Sequence, residues 1–218
     1  MFSEKKFSLT NEKEAGEPKI IIKRSVDAPS EVKENPFYDP EFWGCANSPD
    51  DIYLPDSDEA ISFALAAHEI GHLVKEGKIN NARLDNFEAT RAEEQRAWDK
   101  GWEYLQQYVD EYYQGNPEDT PKILQAFERI KTLLMQATDL SKDMYLESGT
   151  LDNLTTEEMD GILKEKREKF FSEKGEEFKK IFEEIKEEKI GIKPDWDKFT
   201  TVVKKAVQDI LKDNKKAE

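Results

Sequence analysis

Residues 68–72 read His-Glu-Ile-Gly-His, and these are the only two histidines in a chain of 218 residues. Two imidazoles at i and i+4 leave one side of a helix a single turn apart, so both can reach one tetrahedral metal ion. The glutamate after the first histidine then faces a water bound to that ion. Zinc in such a position lowers the pKa of its water towards neutrality and polarises a peptide carbonyl. Glu69 is suited to take the water's proton and pass it to the leaving amine. The competing explanation is a pair of histidines held on a helix face by ordinary partners, which the coincidence of both rare residues with the intervening glutamate disfavours.

A zinc site needs a third protein ligand, and with no further histidine it must be a carboxylate or a thiolate. Glu88, Glu93 and Glu94 are in range on the next predicted helix. At about 100° per residue, Glu94 falls within about 60° of Phe87, Ala97, Trp98, Gly101, Leu105 and Tyr108, whereas Glu93 and Glu88 are displaced by about 100° and 120°. Glu94 is thus an acid in an apolar stripe, costly to desolvate unless a cation neutralises it. Arg91 or Arg96 could supply that charge instead, and Glu93 and Glu88 stay open as alternatives. The phase argument places Glu93 on the flank, where water solvates it. Cys45 has no spacing that ties it to the metal and is expected to be an ordinary loop or buried cysteine.

These side chains must be positioned by helices. Asp56, Ser57 or Asp58 can cap a helix running to about Lys75, with Glu59 three residues after Asp56 and Gly77 as a stop. Gly71 inside it permits close approach of another backbone. A second helix is predicted from Asn86 to about Tyr113, ended by the Gly115–Pro117 break. Further helices are expected at Thr120–Leu140, Thr155–Lys189 and Asp195–Leu211. The β-branched run at Lys19–Arg24 and the segment Asp51–Leu54 read as short strands. Residues 1–18 are polar and aperiodic and read as a mobile arm.

Composition bounds the function classes. With 48 acidic and 33 basic side chains the formal charge is −15, which disfavours sequence-independent binding to nucleic acid or to an anionic membrane. Residues 1–119 carry −13 of this and residues 120–218 only −2, so the two parts are expected to differ in role. Hydrophobic and charged residues each make up 37%, against usual values of about 45–50% and 25%, which suits solvated helices around a thin core. No stretch resembles a signal peptide or a membrane span, and one cysteine cannot form an intramolecular disulfide; a soluble cytoplasmic protein is expected.

The His-Glu-x-x-His helix, followed after a short loop by a helix carrying Glu94-Gln95-Arg96-Ala97, resembles gluzincin-type zinc metallopeptidases, within them the ImmA/IrrE-like peptidases and the minigluzincins. The match covers about residues 50–105 and departs at Trp98, where the ImmA/IrrE-like pattern usually has Asn or Asp. The resemblance implies His68, His72 and Glu94 as zinc ligands, Glu69 as general base and a peptide or protein substrate. It implies an α+β architecture: a zincin-like domain at 19–116, with a small mainly antiparallel sheet packed on the metal helix, then a mainly helical region at 117–218. Peptidases of this kind usually hold substrate as an added strand, for which Asp51–Leu54 is the expected edge. An extra oxyanion donor is also expected, with Tyr53 and Tyr104 as candidates. Two rival functions stand beside this one. A di-iron bundle needs a second Glu-x-x-His, for which no histidine remains. A non-catalytic protein would use zinc only to hold its fold and bind a protein partner through the C-terminal helices.

Overall fold

A computed structural model describes residues 18–34, 38–75, 85–114, 118–147 and 149–217. The expected arm at 1–18, apart from Pro18, the stop at Gly77 and the break at Gly115–Pro117 lie outside the described residues.

The chain is α+β. Three short strands, β1 (Ile22–Arg24), β2 (Cys45–Ser48) and β3 (Asp51–Leu54), form a sheet in the order β1-β3-β2. β1 runs parallel to β3, pairing Ile22 with Ile52 and Arg24 with Leu54, after a connection that includes the one-turn helix α1 (Ser30–Lys33). β2 runs antiparallel to β3, with an irregularity between Ala46 and Ser48. The sheet is therefore mixed rather than mainly antiparallel, and β3 is its centre, so the edge expected at Asp51–Leu54 is β2 instead. The segment that became β2, Cys-Ala-Asn-Ser, has no apolar alternation to announce a strand.

Five longer helices follow: α2 (Glu59–Gly71), α3 (Phe87–Tyr112), α4 (Asp119–Leu140), α5 (Thr156–Glu187) and α6 (Trp196–Ala217). Their starts obey local capping chemistry. The Asp58 side chain accepts from the Ala60 amide at 3.1 Å, Asn86 from Ala89 at 3.1 Å, and Thr155 forms a full capping box with Glu158. α2 ends four residues before the expected Lys75. His72, Leu73 and Val74 donate to carbonyls three residues back, tightening the chain out of the α-helix.

Every residue of α2 except His68 and Glu69 is buried. A helix apolar all round must be enclosed on all sides, and α2 is: the sheet lies on it, and α3 and α4 pack along it. α6 brings the stripe Phe199, Val202, Val203, Ala206, Val207 and Ile210 to the same core, largely against α3. Phe63 on α2 meets Tyr112 and Phe199 edge-on, with ring centroids 5.0 and 5.1 Å apart. One apolar cluster thus runs from Ile52 to Ile210, a larger core than the composition suggests. No helix among the described residues is long and apolar enough to cross a membrane.

Candidate metal centre

The site depends on how closely α2 and α3 approach. A Cβ built on Gly71 would fall 1.9 Å from the Ala97 carbonyl oxygen, and one on Gly101 would fall 1.6 Å from that of Ala67. Both are far inside van der Waals contact, so the helices cross backbone against backbone at two glycines flanked by two buried alanines. Glu94 lies two turns before Gly101 on the same face of α3. The crossing therefore brings its short side chain to the two histidines of α2.

Three donor atoms converge there. His68 Nε2 lies 3.2 Å from Glu94 Oε2, His72 Nε2 lies 3.9 Å from the same oxygen, and the two Nε2 atoms are 3.4 Å apart. With zinc–ligand bonds of about 2.05 Å, adjacent corners of a tetrahedron are separated by about 3.3 Å. The observed triangle is close to one face of that tetrahedron, and two imidazoles with one carboxylate are a donor set that suits zinc. Among the described residues these three side chains are the group able to hold a metal ion, and Cys45 is not part of it. The ion would also sit at the C-terminal end of α2, where the helix dipole favours a cation.

The histidines are held differently. His72 Nδ1 donates to Glu93 Oε1 at 3.2 Å, which leaves Nε2 facing the convergence point. Arg96 grips Glu93 with Nε at 2.7 Å and Nη2 at 2.5 Å. Burial pushes the Glu93 carboxyl up, but Arg96 and His72 together outweigh it and hold it at about 2. Glu93 is thus not a solvated flank residue but the group that orients His72. His68 instead stacks on Trp98, centroids 4.4 Å apart at 29°, and its buried Nδ1 has no hydrogen-bond partner among the described residues. Glu88 pairs with Lys142 at 3.0 Å on the surface.

Glu69 lies between the three converging donors and the sheet edge. Its carboxylate accepts a hydrogen bond from the Ala46 amide of β2, and a Cβ on Gly44 would stand 2.7 Å from its Cγ and 2.8 Å from its Oε1. Only glycine at 44 leaves room for the carboxylate there. Burial raises the Glu69 pKa to about 7; the nearby His72 draws it down and Glu94 adds to the rise. Burial and the Glu69 charge push the Cys45 thiol up to about 11, so it is not a ready thiolate ligand. The Tyr53 hydroxyl accepts from Lys23 Nζ at 3.0 Å and that of Tyr104 donates to Asp213 at 3.1 Å, so both oxyanion candidates are engaged elsewhere.

Sequence reasoning missed the roles of Glu93, Arg96 and Gly44. Arg96 and Glu93 are visible as an i, i+3 ion pair, but nothing local says that the pair faces a histidine 21 residues upstream. No protein-family model, curated protein or solved structure matches the chain.

Proposed function

We propose that the protein is a zinc-dependent peptidase of gluzincin type, with a zincin-like arrangement of sheet, metal helix and glutamate helix. The observation that carries this is the convergence of His68 Nε2, His72 Nε2 and Glu94 Oε2 at separations of 3.2 to 3.9 Å, with Glu69 beside them against an edge strand. Bound zinc would supply a Lewis acid and a water acidic enough to lose a proton near neutrality.

The chain's own residues do the rest. Glu93 keeps the hydrogen of His72 on Nδ1, so the ring offers its other nitrogen without a tautomer change. Glu69, whose carboxyl burial pushes above its ordinary range, is the group beside the donors that can take up a proton and release it, serving first as base and then as acid. The Ala46 amide and the bare Gly44 backbone fix where its carboxylate stands. A peptide adding to the outer edge of β2, unpaired among the described residues, would pass over that carboxylate, so an extended peptide or protein segment is the substrate class.

Metal analysis of the purified protein should find close to one zinc per chain, and His68→Ala or His72→Ala should abolish binding. Glu69→Gln keeps the side-chain shape but cannot accept a proton. It should retain the metal while cleavage of a peptide library falls by roughly 100-fold or more. Equal cleavage by wild type and the glutamine variant would remove Glu69 from the base role; zinc retained in a histidine variant would remove the site.

A further inference from the structure

We infer that Asn214, near the end of α6, is a positioning residue of the metal centre, so that the last helix belongs to the site although all its ligands lie before residue 95. The inference rests on the metal-site assignment made above.

His72 is not inside the regular α2 ladder. It is the first residue beyond the helix, its amide bonding to Glu69 at 3.2 Å in a three-residue turn. The direction of its side chain therefore depends on the path of the chain through residues 73–75, because no following helical turn holds it. The free carbonyls of a helix end need partners. Two side chains from other helices supply them.

Arg96 of α3 donates Nη1 to the Val74 carbonyl at 3.0 Å and Nη2 to that of Gly71 at 3.4 Å. From the other side, Asn214 donates Nδ2 to the Leu73 carbonyl at 2.9 Å and accepts the Lys75 amide on Oδ1 at 3.0 Å. A carboxamide in this orientation matches a carbonyl and the amide two residues on, as a neighbouring β-strand would. Asn214 is buried, 8% exposed, on a turn otherwise rich in lysine and aspartate. A polar side chain buried there has no packing advantage over leucine; its value lies in the two backbone bonds. The segment following the ligand His72 is thus pinned by Arg96, which also grips Glu93, and by Asn214.

The test uses the full chain with Zn²⁺ and, as a spectroscopic probe, Co²⁺. Asn214→Ala removes both bonds. Asn214→Asp keeps the size and the acceptor for Lys75 but loses the donor to Leu73, and guards against a packing defect in the alanine variant. Both should retain helix content and cooperative unfolding, yet raise the Kd for Zn²⁺, measured by chelator competition, by roughly 10-fold. Both should also change the visible absorption of the Co²⁺-substituted protein, a signature that general loss of stability would not move. Wild-type affinity and an unaltered cobalt spectrum in both variants would overturn the role of Asn214 and leave the metal site standing. Failure of the wild type to bind Zn²⁺ would overturn the metal site, and this inference with it.

Discussion

Among the described residues the two histidines differ in what meets the ring on the side away from the convergence point: the Glu93 carboxylate for His72, the face of Trp98 for His68. Loss of Glu94 removes a ligand, so Glu94→Ala should reduce zinc occupancy to near zero in equilibrium dialysis. Loss of Glu93 removes the orienting acceptor and leaves Arg96 without its carboxylate, so Glu93→Ala should weaken Kd by roughly 10- to 100-fold while stoichiometry at saturation stays at one. Equal effects of the two substitutions would contradict this division of roles. The arrangement was partly legible beforehand. His68, Glu69 and His72 sit within five residues, and Glu94 follows from helical phase, because both are properties of a single helix. The role of Glu93 was not, since an angle on a wheel does not show how far a flank carboxylate can lean towards the helix across it.

At the scale of elements, the crossing of α2 and α3 sets the reach of Glu94. Gly→Ala inside a helix ordinarily stabilises by about 1 kcal/mol. At Gly71 and Gly101 the sign should reverse, because the added methyl falls 1.9 and 1.6 Å from a backbone oxygen that has no rotamer to escape into. Each substitution should cost about 1–3 kcal/mol or more in urea denaturation and lower zinc affinity as the helices separate. A stabilised Gly101→Ala protein would mean that the crossing is looser than described. Helices α2 to α5 were foreseeable from caps and periodicity, with ends misplaced by a few residues. α6 runs six residues beyond its expected end at Leu211, through the turn that carries Asn214, since the apolar stripe stops while the helix continues. β2 was illegible because four small or polar residues become a strand only by pairing with β3.

Across the whole molecule, the N-terminus of α2 is tied to the far end of the chain through buried polar groups. Glu59 accepts from the Tyr112 hydroxyl at 2.9 Å and from Tyr113, the Tyr112 hydroxyl accepts from the Asp195 amide at 2.9 Å, and Asp58 accepts from the Ile190 and Gly191 amides. Burial raises the Glu59 pKa, and the two tyrosine hydrogen bonds only partly offset it. The native state therefore holds the Glu59 proton more tightly than the unfolded chain. Its contribution to stability is present below the ordinary value of 4.5 and is lost as pH rises through the elevated native value. Glu59→Gln should flatten that part of the stability–pH curve, read from denaturation midpoints between pH 4 and about 7. An unchanged slope would mean that Glu59 does not carry it.

The clamp on Leu73 and Lys75 also has a consequence in time. The proposed ligand set is complete once residue 94 has been synthesised, but Asn214 is polymerised 120 residues later. At about 5–20 residues per second, that is a delay of roughly 6 to 24 s. A nascent chain held on the ribosome through this interval has its histidines and glutamates but not the helix that fixes the residues after His72. On the function proposed above, full zinc affinity would therefore arrive only with α6, and not with the last of the proposed ligands.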